Sequence, residues 1–304
     1  MSQEALYTKW STLLKKQFGE RVQKVSLDAG SGCPHRDSSG RGGCIFCDSR
    51  GGGSGASLEN ITLEQQIDKG ISVAAKRYKA KKIILYFQSY SCTNIPLSSL
   101  VKLVEGSISY ATRKAEVVGV SMGTRPDLVP DDFLFYLEEL SERGLQVWLE
   151  LGVQTTDEEG LLWLNRGHGI AEVKDALSRI SGRNILTCAH LISGIKNEAP
   201  DQLKRSSKWL VEMSVDALKF HPLYVLKGTL LEKLYRKGEY IPLSMEDYAE
   251  NVARALAVIP TSLVIQRLSA DARSPWLVAP QWITVKEKVI DEIDRQLRTI
   301  KGLS

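Results

Sequence analysis

The 304-residue sequence contains no run of about 18 apolar residues, the length that a membrane-spanning helix requires. Its first ten residues, MSQEALYTKW, lack the apolar stretch of a secretory signal, so we expect a cytoplasmic protein that contacts no membrane. The five cysteines are too few and odd in number for the paired framework of a secreted disulfide domain. The sequence also has no internal repeat beyond a β-α unit and no low-complexity tail.

The residues that are present have globular proportions. Apolar residues make up 43% of the sequence and charged residues 25%. The length suits one α/β barrel with terminal additions. The net charge of +4 is mild, and it bears on the choice of partner only if the cations collect on one face.

Short β-branched runs alternate with segments of helical period along most of the sequence. This alternation predicts parallel strands joined by helices, at residues 22–27, 82–88, 117–122, 146–153, 185–192 and 217–223. An amphipathic helix is predicted at 4–17 and a further strand at 263–268. The predicted fold is an α/β partial TIM-type barrel of six β-α units. We expect an N-terminal helix in 1–20, the barrel in 21–240 and a C-terminal α/β extension covering it in 241–304.

Three of the five cysteines, Cys33, Cys44 and Cys47, lie in the segment CPHRDSSGRGGCIFC, directly after the first predicted strand. Catalytic groups of parallel barrels lie on such loops, at the carboxyl ends of the strands. Three thiolates are incomplete for a closed zinc site, whereas an iron–sulfur cube with three ligands keeps one iron open to a reactant. The alternative is a zinc knuckle whose fourth ligand is His35 or Cys92.

The segments around these cysteines and further along the chain resemble the radical S-adenosylmethionine (radical SAM) enzymes, most closely the YtqA/YhcC-type family, which is related to the elongator-type radical SAM subunit. The resemblance covers nearly the whole chain and rests on CPHRDSSGRGGCIFC, FQSYSCT, GTRPD, ELGVQT, NRGH, KFHPLYVLKGT, IQRL and APQW. The ten residues between Cys33 and Cys44 fit this family rather than the common shorter spacing. Departures from the family pattern are His35, Ser38 and the turn Ile195-Lys196-Asn197.

The resemblance implies that Cys33, Cys44 and Cys47 bind three irons of a [4Fe-4S] cluster and that S-adenosylmethionine (SAM) chelates the fourth. It further implies reductive cleavage of SAM to a 5′-deoxyadenosyl radical. This needs an electron donor such as flavodoxin or ferredoxin, which the sequence does not identify. The implied substrate is tRNA, in which 5-carboxymethylaminomethyl at the wobble uridine is converted to 5-aminomethyl. The alternatives are a radical SAM enzyme for a small anionic metabolite and a non-catalytic, metal-containing RNA-binding protein.

Several residues are candidates for contact with SAM. The resemblance implies that Gln154 and Arg166 hold the methionine carboxylate, which suits the forked guanidinium; a local helix-end network with His168 is the alternative. It also implies that His190 and Ile192 contact the ribose and adenine, although His190 could be a core histidine bonded to the backbone. Glu150 and Thr124 are two further candidates, because they lie on or directly after predicted strands.

The candidates for substrate contact are mostly basic. Lys219 and His221 alternate on one strand and so share a face, and a buried lysine favours the lumen. Cations that follow strands are expected around the mouth, where RNA or a small polyanion would bind: Arg36, Arg41, Arg50, Arg125, Arg166, Lys196, Lys227, Arg267 and Arg273. Arg125 could instead pair with Asp127. Aromatic residues that could stack on bases are Tyr90, Tyr224, Trp276 and Trp282.

Three features favour a purely structural role. Cys92 and Cys188 are predicted to be small buried apolar residues. The glycines of 51–55 lack the Lys-Ser/Thr of a phosphate-binding loop, so we expect a hinge there.

Overall fold

Parallel strands separated by helices frame the protein, which we describe from a computed structural model covering residues 5–37, 39–270, 272 and 275–303. Ser38 and Arg273, both named above, lie outside the described residues. The strands are β1 Thr8–Lys9, β2 Val22–Asp28, β3 Lys82–Gln88, β4 Glu116–Thr124, β5 Gln146–Gln154, β6 Leu186–Ser193, β7 Ala217–Pro222, β8 Val225–Leu226, β9 Val264–Arg267 and β10 Leu277–Ala279. The α-helices are α1 Trp10–Phe18, α2 Leu63–Tyr78, α3 Leu97–Thr112, α4 Asp131–Glu142, α5 Glu158–Trp163, α6 Ile170–Ile180, α7 Gln202–Glu212, α8 Leu230–Arg236, α9 Met245–Val258 and α10 Lys286–Lys301.

Eight of the strands form one parallel sheet in the order β1-β9-β7-β6-β5-β4-β3-β2, while β8 and β10 form a separate antiparallel pair. The sheet is strongly curled, because Lys24 on β2 donates a 3.1 Å hydrogen bond to Gln266 on β9, near the opposite edge. The predicted partial barrel is therefore confirmed. None of the helices that the structure describes is long and apolar enough to cross a membrane.

The N-terminal segment differs from its prediction. The helix begins only at Trp10, and Thr8–Lys9 before it is a short strand whose residues lie opposite Val264 and Ile265 of β9. The Thr8 hydroxyl also donates to the Thr261 carbonyl at 2.8 Å. Pairing with a strand that follows some 250 residues later overrides the local helical periodicity. The strand predicted at 263–268 is confirmed, and it joins the barrel sheet beside β7.

Side chains inside the barrel change from apolar to polar along its axis. Near the amino ends of the strands, inward residues pack against helix α1, as in the T-shaped contact of Trp148 with Trp10 at 6.0 Å. Two residues further along the strands, the inward positions are polar, as at Lys24 and Glu150. Since alternate strand residues share a face, this places a polar lumen above an apolar plug.

Candidate functional site

A cavity of about 610 Å³ opens at the carboxyl ends of the barrel strands. Its size lies within the range of roughly 300–1,000 Å³ of small-molecule and cofactor sites. The thiols of Cys33, Cys44 and Cys47 lie on its wall, together with inward side chains of the strands. The three cysteines predicted to act together thus face one common space, which extends into the lumen.

Arg36 organises the loop that carries these cysteines. Its guanidinium donates to the carbonyl of Gly40 at 3.0 Å and to those of Cys47 and Asp48 at 2.5 and 3.0 Å. The guanidinium also lies 5.4 Å from the centre of the Tyr90 ring. Arg36 therefore holds the loop in shape, while its predicted contact with substrate stays a prediction.

The break between α5 and α6 docks onto this loop. The Ile45 amide donates to the Leu164 carbonyl at 3.0 Å, and the Asn165 side-chain amide donates to the Gly43 carbonyl at 2.8 Å. Asn165 has a φ of 53°, a left-handed conformation that asparagine tolerates better than most residues. The interruption of the helix thus has a local purpose, because it supplies partners to the cysteine loop.

Gly167, in the same break, makes room for His35. A Cβ at this position would lie 1.4 Å from Nε2 of His35, and the φ of Gly167 is 71°. Only glycine satisfies both constraints without movement of the loop. The departure from the family pattern at His35 therefore coincides with a packing contact.

Arg166 lies between the break and the thiols. Its Nη2 donates to the Gly152 carbonyl at 2.7 Å, and its Nη1 lies 3.5 Å from Sγ of Cys44. Its Nε is buried and has no hydrogen-bond partner among the described residues. Gln154 lines the same cavity with an unusual φ of 74°, the kind of backbone strain that concentrates at functional sites.

His168 follows Arg166 but takes no direct hydrogen bond from it. Its Nδ1 lies 3.3 Å from the Gly169 carbonyl oxygen. Burial, reinforced by the neighbouring Arg166 charge, lowers the pKa of the His168 imidazole to about 4, so the ring is neutral at pH 7.

Thr124 and Arg125 follow strand β4. The Thr124 hydroxyl lies on the cavity wall, 2.5 Å from the Thr93 hydroxyl. Arg125 is buried and binds Asp127 with both arms of its fork, at 2.9 and 2.8 Å, which confirms the predicted pairing. Its third donor binds the Arg166 carbonyl at 2.7 Å, so Arg125 also anchors the break.

The lower lumen contains a fully buried carboxylate, Glu150, surrounded by donors. Lys24 and Lys219 both bind it, the latter at 2.9 Å, and the Ser121 hydroxyl donates at 2.6 Å. Nε2 of His190 lies 2.8 Å from its second oxygen. Burial alone would raise the pKa of the Glu150 carboxyl, but the Lys219 and Lys24 charges outweigh burial and hold this pKa well below its ordinary value. We call these five residues the Glu150 cluster.

Lys24, which was not predicted from the sequence, also belongs to this part of the site. Its ammonium lies 4.4 Å from the Trp10 ring centre and 4.3 Å from that of Tyr86, and it also binds Gln266. A lysine in the middle of a buried parallel strand was the available signal, since the same observation singled out Lys219.

His190 and His221 both line the cavity, as does Ile192. The partner of His190 is the Glu150 carboxylate, so the alternative of a backbone-bonded core histidine is wrong. Burial, with the Lys219 charge, lowers the pKa of His190 to about 4. Lys219 and His221 share the lumen face, as predicted.

The cations expected around the mouth divide into two groups. Arg36, Arg125 and Arg166 point inward and are engaged by the loop and the break, whereas Arg41, Lys196 and Lys227 are exposed. Arg267 also lines the cavity. Fewer of these cations are therefore exposed at the mouth than the sequence predicted.

The two tryptophans predicted to stack on bases differ in their surroundings. Trp276 is 44% exposed, and its ring lies 4.6 Å from the guanidinium of Arg50, which Asp48 fixes. Trp282 is not at the mouth, because its ring packs 5.4 Å from that of Tyr248 and its indole N–H binds a backbone carbonyl.

The glycines of 51–55 pack closely against the segment after β3. A Cβ on Gly51 would lie 2.4 Å from the Tyr90 ring, and one on Gly53 would lie 1.9 Å from the Ser89 hydroxyl. Ser89 and Tyr90 themselves have φ values of 84° and 55°. Close approach therefore accounts for Gly51 and Gly53, whereas a Cβ on Gly52 would meet nothing within 4 Å, and the expected hinge stays a prediction.

The donor set fits a multinuclear cluster better than a single ion. In the described ranges, no three His, Cys, Asp or Glu side chains are arranged to hold one metal ion. Cys92 and Cys188 are fully buried among apolar residues, as predicted. Because each iron of a cube takes its own thiolate, three separated thiols on one cavity wall suit a cluster with one open iron.

Two protein-family models match this chain, and they cover different parts of it. Residues 29–210 match the model of the Radical SAM superfamily, and residues 215–299 match the Radical_SAM C-terminal domain. The chain is 34% identical over 285 residues to YtqA of Bacillus subtilis, covering 93% of this chain and 87% of that protein. It is also 34% identical to YhcC of Escherichia coli, covering 93% and 90%.

The chain is also similar to two proteins at lower sequence identity. The structure of Elp3 from Methanocaldococcus infernus superposes with a TM-score of 0.68 at 20% identity, covering 93% of this chain and 64% of that one, which shows a shared fold. A protein of Dehalococcoides mccartyi named tRNA uridine(34) acetyltransferase is 25% identical over 185 residues, covering 58% of this chain and 39% of that protein.

Proposed function

Since the chain belongs to the radical SAM superfamily, and within it to the family of YtqA and YhcC, we propose that it modifies the wobble uridine of tRNA. The proposed conversion is an oxidative N-dealkylation, in which a 5-carboxymethylaminomethyl group becomes 5-aminomethyl. The N–CH2 group would lose two electrons and two protons, with SAM as the oxidant, and water would hydrolyse the resulting imine to the free amine and glyoxylate. The protein is a radical SAM enzyme, whose cofactors are a [4Fe-4S] cluster and SAM. When bound, these supply reductive cleavage of a sulfonium C–S bond and a carbon radical that abstracts hydrogen.

Residues of this chain would hold both cofactors. Cys33, Cys44 and Cys47 would bind the cluster, and the unpartnered Nε of Arg166 beside Cys44 suits a methionine carboxylate, with Gln154 next to it. His190, Ile192, Glu150 and Thr124 are proposed to face SAM along the cavity. The apolar plug below and the docked loop above would keep water from the reacting carbon.

The main observation that favours RNA as the substrate is the exposed ring of Trp276, which lies against the Arg50 guanidinium. Single-stranded RNA is recognised by stacking of splayed bases on aromatic side chains, and one ring face of Trp276 is supported by a cation. The name of the Dehalococcoides relative, tRNA uridine(34) acetyltransferase, points to the same nucleotide. The alternative substrate, a small anionic metabolite, is favoured by the cations of the lumen.

We also propose a cytoplasmic location and a flavodoxin or ferredoxin as electron donor. The support for the first is that all five cysteines are unpaired thiols, as in a reducing compartment. A low-potential donor is required because the cluster must be reduced before it acts.

Anaerobic reconstitution with iron and sulfide tests the enzyme class. A brown, oxygen-sensitive protein that releases 5′-deoxyadenosine from SAM is expected, and a colourless zinc protein would contradict it. The tRNA substrate is tested by nucleoside analysis of tRNA from cells that lack the gene. Accumulation of 5-carboxymethylaminomethyluridine supports the proposal, and an unchanged profile rejects it.

Trp276→Ala tests the stacking surface. Filter binding of tRNA across a salt series should show at least about fivefold weaker binding, since each stacked base contributes about 1–3 kcal/mol. Phe135→Ala, an exposed ring on α4, is the matched control and should bind as the unaltered protein does. Salt-insensitive tRNA binding that Trp276→Ala does not change would favour the small metabolite instead.

A further inference from the structure

The Glu150 cluster carries more positive charge than its carboxylate offsets. Two ammonium groups, those of Lys24 and Lys219, meet the single carboxylate of Glu150. The two imidazoles beside them, His190 and His221, have pKa values lowered chiefly by burial and are neutral at pH 7. Burial lowers the pKa of Lys219 to about 8, which still leaves it largely protonated at pH 7. One positive charge is therefore left over in a buried place, which is costly without an anion.

The two lysines of the cluster differ in how far their donors are used. Lys24 binds Glu150 and Gln266 and lies against the rings of Trp10 and Tyr86. Lys219 makes a single hydrogen bond within the described residues, to Glu150. Since an ammonium group has three donors, Lys219 keeps donors for a ligand and lies on the cavity wall.

The surroundings of Lys219 suit a small anion. His221 lies two residues nearer the mouth on the same face of β7, and its ring centre is 5.9 Å from that of His190. Arg267, which has interactions of its own, lines the same cavity. Glu150 cannot compete for the free donors, because each of its oxygens already accepts two hydrogen bonds from Lys24, Ser121, Lys219 and His190.

We propose that Lys219, with His221 and Arg267 beside it, binds the carboxylate of the substrate side chain at the lower end of the cavity. The identity of that side chain, carboxymethylaminomethyl on uridine, rests on the proposed function. A carboxylate matches the surplus of one charge, and the Tyr86 ring, whose centre lies 5.1 Å from the Lys219 ammonium, lines the same cavity. The other carboxylate expected in this cavity, that of SAM, is assigned to Arg166 beside Cys44.

The main experiment measures which ligand depends on Lys219. In the reconstituted enzyme, Lys219→Met should raise KM for tRNA bearing 5-carboxymethylaminomethyluridine about tenfold or more, as expected for a lost charged hydrogen bond. SAM affinity, measured by equilibrium dialysis, should change less than about twofold, and Lys219→Arg should recover much of the KM. An unchanged KM overturns the proposal, and so does a loss of SAM affinity in place of substrate affinity.

A second experiment does not depend on tRNA. N-acetylglycine carries the carboxylate, and N-acetylglycinamide is its uncharged match. The acid, but not the amide, should raise the melting temperature of the unaltered protein and leave that of Lys219→Met unchanged. Lys219→Gln, which keeps a donor to Glu150, serves if the Met variant folds poorly.

The two experiments separate failure of this inference from failure of the proposed function. If tRNA is not modified but the acid still stabilises the protein through Lys219, the anion site stands and the tRNA substrate falls. If tRNA is modified and neither KM nor melting temperature depends on Lys219, the anion site falls alone.

Discussion

Replacement of Glu150 by glutamine should destabilise the protein strongly. The change keeps the shape of the side chain but removes the carboxylate that Lys24 and Lys219 share. Among the described residues, it leaves these two ammonium groups without a paired counter-charge. Breaking a buried ion pair on one side costs about 3–5 kcal/mol. With a urea m-value of roughly 3 kcal/mol/M, the unfolding midpoint should fall by about 1 to 1.7 M.

A double-mutant cycle with Lys219→Met isolates the electrostatic cause. Lys219→Met alone leaves Glu150 bonded to Lys24, Ser121 and His190 and removes the surplus ammonium, which offsets the lost hydrogen bond. Its cost should therefore be small, about 0–1 kcal/mol. In the double variant one orphaned ammonium is gone, so the total loss should be about 1–3 kcal/mol less than the sum of the single losses.

The assay is urea unfolding of the protein without cluster, followed by far-UV circular dichroism, at pH 7. Glu139→Gln, an exposed carboxylate on α4, is the matched control and should change stability by less than about 0.5 kcal/mol. A loss below about 1 kcal/mol for Glu150→Gln, or additive single losses, would refute the shared role of this carboxylate.

Three further outcomes follow from the site. Gly167→Ala should lower the iron bound per chain after reconstitution, because the new methyl group displaces the ring of His35 and the left-handed backbone costs about 1–2 kcal/mol. Adding His35→Ala should restore part of the bound iron. Full iron binding by Gly167→Ala alone would contradict the contact with His35. Arg125→Lys should lower the free energy of unfolding in urea by about 2–3 kcal/mol, because it loses the buried bidentate pair with Asp127. The control Arg143→Lys, which loses an exposed bidentate pair with Glu105, should lower it by only about 0–1 kcal/mol. Equal losses would argue against the anchoring role of Arg125. The pKa of His190 in the folded protein, about 4, lies below its ordinary value of 6.5. Its contribution to stability is therefore present above pH 6.5 and is lost as pH falls toward 4, at up to roughly 1.4 kcal/mol per pH unit. His190→Asn should flatten this part of the curve of unfolding free energy against pH.

Local patterns in the sequence were sufficient for the main elements of the fold. The alternation of strand and helix segments gave the parallel barrel, since period and capping are properties of neighbouring residues. The exception is Thr8–Lys9, whose extended form depends on pairing with β9 far along the chain. The position of Cys33, Cys44 and Cys47 after the first strand was likewise readable, because the topology of parallel sheets places such loops at one end.

The sequence also identified many side chains of the site, but not what they contact. Alternation on β7 predicted that Lys219 and His221 share a face, and the structure places both in the lumen. The mouth cations were a weaker inference, because position after a strand does not tell whether an arginine faces solvent. Arg36 and Arg125 turn inward to loop carbonyls and to a carboxylate.

Only the tertiary structure decided how the charges combine. Lys24, Glu150 and Lys219 belong to strands β2, β5 and β7, and they meet because the sheet curls and its strands are staggered. Neither curl nor register is encoded in a local period. The sequence thus determined the fold, the cysteine loop and the family of the chemistry, whereas the surplus charge at the lower end of the cavity is a property of the folded barrel.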